Sequence, residues 1–178
     1  MGRAYDSVTP ELRDWLADQK VFFVGTAPSD GGHVNVSPKG LDTFAVVDEH
    51  TVAYLDLTGS GIETIAHVRD NGRITLMFCA FEGPAQIVRI QGRGRFLLAT
   101  DPAATPFVER FPEYPGARAV IVVEVDRVAT SCGYGVPEMR FVGERDRLIR
   151  WAEAKGEAMP EYWSSKNAQS IDGLPGIA

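Results

Sequence analysis

Apolar residues alternate with polar ones along much of the chain, and this period of two predicts β-strands. The alternation is clearest within residues 85–99, where Val88, Ile90, Phe96 and Leu98 fall on one face of a strand. Other short runs rich in β-branched and aromatic residues are bounded by turn-forming residues. The predicted strands lie within 20–27, 33–38, 44–47, 51–57, 72–81, 85–99 and 119–130.

Helical patterns are shorter and lie at the ends of the chain or between strands. Thr9 is a candidate N-cap, and Pro10 suits the first position of a helix that carries apolar residues with helical spacing. Further helices are predicted directly after residue 61, within 102–111 and within 144–156. The tail from 159 to 178 reads as a loop because its prolines and glycines interrupt regular structure.

These elements predict a mainly β protein: a closed or nearly closed barrel of antiparallel strands with peripheral helices. The first four strands read as a meander. A single domain is expected over 1–178, with a core at about 18–130 and a C-terminal helix and tail at about 131–178. The alternative is a dinucleotide-binding βαβ unit, since a strand, a G-x-G and a helix succeed one another; it fails because Thr64 occupies the third glycine position.

Composition narrows the classes of partner. The 178 residues carry a formal net charge of -6, which makes a nucleic acid an unsuitable main partner. We expect no membrane partner and a cytoplasmic location, because the sequence has no long apolar span and begins with polar residues. Cys79 and Cys132 have no paired spacing, so no metal site is expected. The three histidines, His33, His50 and His67, are expected at the surface.

The segment "TGSGIE" at 58–63 supports two interpretations. Ser60 followed by Glu63 is a capping box, which needs no ligand. The same glycines and hydroxyls at a helix N-terminus could bind a phosphate through backbone N–H groups, although Glu63 would repel it. The residues alone leave both interpretations open.

The order of these segments resembles a known family. "GGHVNVSPKGLDTFAVVDEHTVAYLDLTGSG", then a short helix, "RDNGRITLMF" and "IVRIQGRGRF", is similar to the pyridoxamine 5'-phosphate oxidase-related FMN-binding split β-barrels. The resemblance implies a Greek-key split barrel and a homodimer that holds FMN at the subunit interface. Glycines and arginines of the strand at 85–99 are expected to contribute to that interface.

The resemblance also implies where the cofactor binds. The flavin ring is expected along one strand end and the phosphate at the loop after the "YLDL" strand, with Lys39 as the nearest basic residue. The expected cofactor-binding residues are Ser37, Pro38, Lys39, Gly40, Thr58, Gly59, Ser60 and Gly61. The arginine and lysine that the family's oxidases carry at these places are absent, and no catalytic residue is assigned.

The residues that hold pyridoxamine phosphate in those oxidases have no counterpart in 101–118 or in the tail. We therefore expect an FMN-dependent oxidoreductase with a different small substrate. Hydride transfer by a flavin needs no acid or base from the protein, so the missing catalytic constellation does not argue against an enzyme. The alternative is a barrel that holds a flavin, a deazaflavin or haem without turnover, or one that has lost its ligand.

Overall fold

The computed structural model describes residues 2–177 and consists of one antiparallel sheet of eight strands with helices at its periphery. The strands are β1 (Ala4–Tyr5), β2 (Phe22–Thr26), β3 (Asn35–Lys39), β4 (Phe44–Asp48), β5 (Thr51–Leu57), β6 (Arg73–Cys79), β7 (Ile87–Leu98) and β8 (Ala117–Ser131). The helices are α1 (Pro10–Asp18), α2 (Glu63–Asn71), α3 (Thr105–Val108), α4 (Arg147–Lys155) and α5 (Met159–Lys166), with 3₁₀ turns at Pro102–Ala104 and Gly156–Ala158.

The strand order is β3-β2-β6-β7-β8-β5-β4, with β1 paired to β8. The mainly β fold with peripheral helices is therefore confirmed. The predicted meander is wrong at one point, because β3 and β4 are consecutive in the chain yet lie at opposite ends of the sheet. Leu41 and Asp42 turn the chain between them with φ angles of 64° and 51°, values that side-chain-bearing residues adopt uncommonly.

Strand β8 is the longest strand and has three strand neighbours. Its first half pairs with β5 on one side and β7 on the other, and its last residues pair with both β7 and β1. The register between β7 and β8 shifts between Gln91 and Gly92, because β8 carries the extra residue Asp126 there, and a Cβ at Gly92 would collide with the carbonyl oxygen of Glu124. Gly94 also packs closely, since a Cβ there would lie 3.1 Å from Ile74 and 3.3 Å from Val68. These two glycines thus serve the packing of their own chain.

The barrel interior is filled by side chains from both halves of the sheet. Phe22 lies at its centre and contacts the rings of Phe44, Tyr54 and Phe78 at centroid distances of 5.2 to 5.6 Å. The rings of Phe44 and Phe78 are 4.8 Å apart. A second apolar cluster lies on the other face of β5 and β8, under α3. Both faces of these two strands are buried, which explains their nearly continuous apolar runs.

The helices agree with the sequence pattern except near the C-terminus. Thr9 caps α1 as predicted, since its side chain accepts the N–H of Leu12. α4 ends at Gly156 as predicted. The expectation of an irregular tail is wrong for α5, because Pro160 occupies its first turn, where a missing N–H has no cost.

Candidate functional site

Strand β3 carries the first half of the predicted site. It alternates between the half-buried Asn35, Ser37 and Lys39 and the exposed Val36 and Pro38. Ser37 Oγ donates to Asn35 Oδ1 at 3.1 Å, which orients the asparagine toward α2. Because β3 is an edge strand, its outer side from Ser37 to Lys39 faces no other strand of the described chain. A planar ligand would have access to this backbone.

The loop after β5 carries the second half. Thr58 anchors it, since its N–H and its hydroxyl both donate to the carbonyl oxygen of Gly116, at 2.8 and 2.7 Å. The carbonyl oxygens of Gly59, Ser60 and Gly61 accept hydrogen bonds from buried side chains of the same protein. Within residues 2–177 the three N–H groups of this segment have no acceptor. Successive free N–H groups are the donors that phosphate-binding loops use.

Asp56 joins the two halves. Its carboxylate, 1% exposed, accepts Lys39 Nζ at 3.0 Å and Arg118 Nε at 2.6 Å. Arg118 also donates to the carbonyl oxygen of Gly61 at 2.9 Å. Burial raises the pKa of Asp56, but the two cations lower it by more, so that its net pKa lies below the ordinary value. Asp56 therefore links Lys39 of β3, through Arg118, to the carbonyl oxygen of Gly61 in the loop.

Arg118 was not among the predicted site residues. It lies on β8 in a run of apolar residues and is 5% exposed. A charged residue at a buried position of a strand is the signal that could have identified it, because such a residue is almost always paired. Its partner, Asp56, is also buried and lies on the neighbouring strand β5, in "YLDL".

The capping box is wrong as an account of the loop. Helix α2 begins at Glu63, and its N-cap is Ile62, whose side chain makes no capping hydrogen bond. Ser60 is exposed and lies outside the helix. Glu63 instead accepts the N–H of Ile171 at 3.3 Å, so the C-terminal tail takes the carboxylate that a capping box would have used.

The residues after α4 cover the loop, and no sequence pattern had predicted this contact. Trp163 Nε1 donates to Thr58 Oγ1 at 2.9 Å. Asn167, fully buried, donates to the carbonyl oxygens of Gly59 and Ser60 and accepts from Arg118. Asn167 and Gly59 are 108 positions apart, a separation at which local patterns carry no information. The tail thus fixes the carbonyl side of the loop.

His67 contradicts the expectation of three surface histidines. It is fully buried on α2, and its Nδ1 lies 3.0 Å from Thr26 Oγ1. Its Nε2 and the hydroxyl of Tyr54 have no partner among the described residues. Burial lowers the pKa of His67, which favours a neutral ring. His33 and His50 are exposed as predicted, and His33 binds Asp172 at 2.7 Å.

Three further features concern the described residues as a whole. Residues 2–177 bring together no group of three or more side chains suited to a metal ion. No helix in that range is long and apolar enough to cross a membrane. Cys79 is buried and Cys132 is exposed, and both are free thiols.

Comparison with known proteins places the chain among relatives. The family model for pyridoxamine 5'-phosphate oxidase matches residues 8–132. The pyridoxamine 5'-phosphate oxidase family protein ustO of Aspergillus flavus is 43% identical over 192 residues, covering 97% of this chain and 77% of that protein.

Solved structures share the fold at lower identity. HupZ from Group A Streptococcus has a TM-score of 0.53 and 24% identity, covering 68% of this chain and 91% of its own. The FAD-binding protein from Mycobacterium smegmatis has a TM-score of 0.51 and 16% identity, covering 71% and 97%. With its eight-stranded antiparallel sheet, the matching family model and a relative at 43% identity, the chain belongs to the pyridoxamine 5'-phosphate oxidase family.

Proposed function

We propose that this protein binds FMN between the outer edge of β3 and the loop at 58–61, and that it is a flavin-dependent oxidoreductase acting on a small substrate. One observation carries the proposal. Three successive N–H groups, from Gly59 to Gly61, lack an acceptor among residues 2–177, at the place where the family resemblance puts the flavin phosphate.

The free N–H groups of the loop suit a phosphate better than the net charge of the surrounding side chains does. Lys39 and Arg118 bring two positive charges, but both are paired with Asp56. The Glu63 carboxylate lies beside Gly61 and adds a negative charge near the loop. The phosphate would therefore depend mainly on main-chain donors and on the part-exposed ammonium of Lys39, whose side chain is 20% exposed.

The comparisons support a flavin as the ligand class. The structural neighbours from Mycobacterium smegmatis and Mesorhizobium loti are named FAD-binding proteins, with TM-scores of 0.51 for each. These names describe those proteins, which share the fold at 16% and 14% identity, and on that basis we propose a flavin as the ligand class here. The assignment to FMN comes from the family resemblance and from the loop geometry.

The residues of this chain would bind the flavin and position it. When bound, a flavin supplies the acceptor for an electron pair, chemistry that the side chains of this site do not offer. The backbone from Ser37 to Gly40 would orient the ring, and the loop N–H groups would hold the phosphate. Asp56 keeps Lys39 directed at the junction of the two halves. The neutral ring of His67 adds no positive charge to the site.

A comparison of FMN with riboflavin tests the proposed phosphate site. FMN is expected to bind at least about tenfold more tightly than riboflavin, because hydrogen bonds to a charged group contribute about 1.5 to 3 kcal/mol. Fluorescence quenching of each flavin measures both affinities. Equal affinities, or no binding of either flavin, would contradict the proposal.

Two substitutions at Ser60 separate the contribution of its main-chain N–H to FMN binding from that of its hydroxyl. Ser60→Pro removes an N–H donor, whereas Ser60→Ala keeps the N–H and removes the hydroxyl. FMN affinity should fall about tenfold or more in Ser60→Pro and less in Ser60→Ala. The exposed Ser165 provides a control through Ser165→Ala. Thermal unfolding of each variant checks that a loss of FMN affinity does not result from unfolding of the protein.

A non-catalytic binding protein is the second candidate, favoured by the pairing of both local cations with Asp56. The absorption spectrum of the purified protein distinguishes the ligands: an oxidised-flavin spectrum supports FMN, and a Soret band supports haem. Reduction and reoxidation of the bound flavin over many cycles with an added electron donor supports the oxidoreductase. A bound flavin that cannot be reduced supports the second candidate.

A further inference from the structure

A cavity of about 220 Å³ lies on the outside of the barrel, next to the tail that covers the loop. It is formed where α2, the end of β7, the start of β8 and α5 meet. Its lining combines an apolar wall, two hydroxyls and two guanidinium groups. The residues are Arg69, Phe96, Leu98, Thr100, Arg118, Pro160, Trp163, Ser164 and Ile177.

The apolar wall explains an exposed residue that the strand pattern had put on the buried face. Leu98 is 41% exposed, although Val88 and Ile90 on the same strand are fully buried. Its position on the cavity wall accounts for the difference, since nothing in the described chain fills the space beside it. A small ligand with an apolar body would cover this surface.

The two guanidinium groups are arranged differently. Arg69 lies over the ring of Phe96 at 5.0 Å and has no carboxylate within ion-pairing distance among residues 2–177. Arg118 is 5% exposed and gives one N–H each to Asp56, Asn167 and Gly61, which leaves two of its five N–H groups without these partners. Among residues 2–177 the cavity therefore has one cation without an ion-pair partner, Arg69, and one that is fixed by its partners, Arg118.

We propose that this cavity binds a small organic carboxylate, with its apolar body against Phe96, Leu98 and Trp163 and its carboxylate toward Arg69 and Arg118. The size agrees, because a cavity of about 150 Å³ lined by apolar side chains accepts benzene. A volume of about 220 Å³ leaves room for one ring or a short chain with a charged head. The proposal does not depend on a bound flavin.

A matched ligand pair tests the charge requirement. We would titrate the protein, in the form in which it is purified, with 3-phenylpropanoate and with 3-phenylpropanamide by isothermal titration calorimetry. The carboxylate is expected to bind at least about tenfold more tightly than its neutral analogue. Binding of the two with equal affinity, or saturation by neither ligand at about 10 mM, would overturn the proposal.

Matched variants locate the binding. Arg69→Gln should reduce the preference for the carboxylate to near unity, because it removes the free cation from an exposed position. Arg95→Gln is the control: Arg95 is an exposed arginine on the same strand as Phe96, but it lies over Phe107 and does not line the cavity. Ser164→Trp should fill the mouth and abolish binding of both ligands. An unchanged preference in Arg69→Gln would contradict the assignment.

The outcome is separable from that of the flavin experiments. Carboxylate binding that persists in Ser60→Pro, with FMN affinity reduced, would support two distinct sites. Loss of carboxylate binding on saturation with FMN would show that the flavin itself occupies the cavity, and would overturn the assignment to a separate carboxylate. Both readouts use affinity alone, so neither requires a known reaction.

Discussion

Asp56 is the residue on which the site's geometry depends most, because it is buried and both of its partners come from other strands. Lys39→Ala leaves its carboxylate with Arg118 alone. The free energy of unfolding should fall by about 1 to 3 kcal/mol, the usual effect of losing a hydrogen bond to a charged group. Chemical denaturation measures the change, and Lys39→Arg, which keeps the charge, should lose less.

The pH dependence of the same variant gives an independent check. The folded-state pKa of Asp56 is depressed, so its stabilisation is present above its unfolded pKa of about 3.9 and is lost as pH falls through the folded value. Without Lys39 the folded pKa rises, and acid unfolding should begin at a higher pH. An identical acid transition in wild type and Lys39→Ala would contradict the stabilising ion pair between Lys39 and Asp56.

His67 should make stability depend on pH nearer to neutrality. Burial lowers its folded-state pKa, an effect that the Glu63, Asp172 and Asp70 carboxylates partly oppose. Because the unfolded state binds the proton more readily, stability is full above the unfolded pKa of about 6.5 and falls as pH drops below it, until the folded pKa is reached. Melting temperatures measured from about pH 5 to 8 should show this slope, and His67→Leu should flatten it.

At the scale of elements, Asn167 attaches the C-terminal tail to the loop at 58–61 and to Arg118. Asn167→Ala removes two hydrogen bonds to the loop and leaves an N–H of the buried Arg118 without a partner. The expected loss of stability is about 2 to 4 kcal/mol. Denaturant unfolding measures it, with Ser165→Ala as the exposed control on α5. Faster amide exchange of Ser60 and Gly61 should accompany the loss if the tail fixes the loop.

The strands could be predicted from the sequence because alternation and β-branched residues reflect local burial. Each of the seven predicted strands is present, and β5 has the predicted bounds. β1 escaped prediction because two residues, Ala4–Tyr5, form no pattern. α5 was not predicted, because proline disrupts the interior of a helix. Pro160 instead lies in the first turn of α5, where proline is tolerated.

The site could be predicted only in part, for the same physical reason. Lys39 and Ser60 were proposed from the family resemblance, and their role in binding stays a prediction. Arg118, Asn167 and His67 act through contacts between distant segments, which no local period encodes. The paired buried charges of Asp56 and Arg118 were the one usable signal, since both interrupt apolar strands.

At the scale of the whole molecule, we expect a homodimer. The outer edge of the sheet at β3 exposes Val36 at 64%, and the preceding Val34 is exposed at 74%. An unprotected edge strand with exposed apolar residues is suited to contact with a second copy. Light scattering should give the mass of a dimer, and Val36→Lys should shift it toward the monomer.

The exposed Arg93 on β7 supplies the control for this test, because the glycines beside it pack within the chain. Arg93→Gln should leave the mass unchanged if β3 forms the contact. A dimer that persists in Val36→Lys but dissociates in Arg93→Gln would move the interface to β7, and a monomeric wild type would remove it.

The position of β8 has a consequence for how the protein is made. Of the eight strands that the structure describes it is synthesised last, yet β1, β5 and β7 all pair with it. Until residues 117–131 emerge, the edges of β5 and β7 that pair with β8 have no partner and are open to aggregation or to chaperones. Folding must therefore wait for most of translation, and a message truncated before Ala117 would yield a chain that cannot form this sheet.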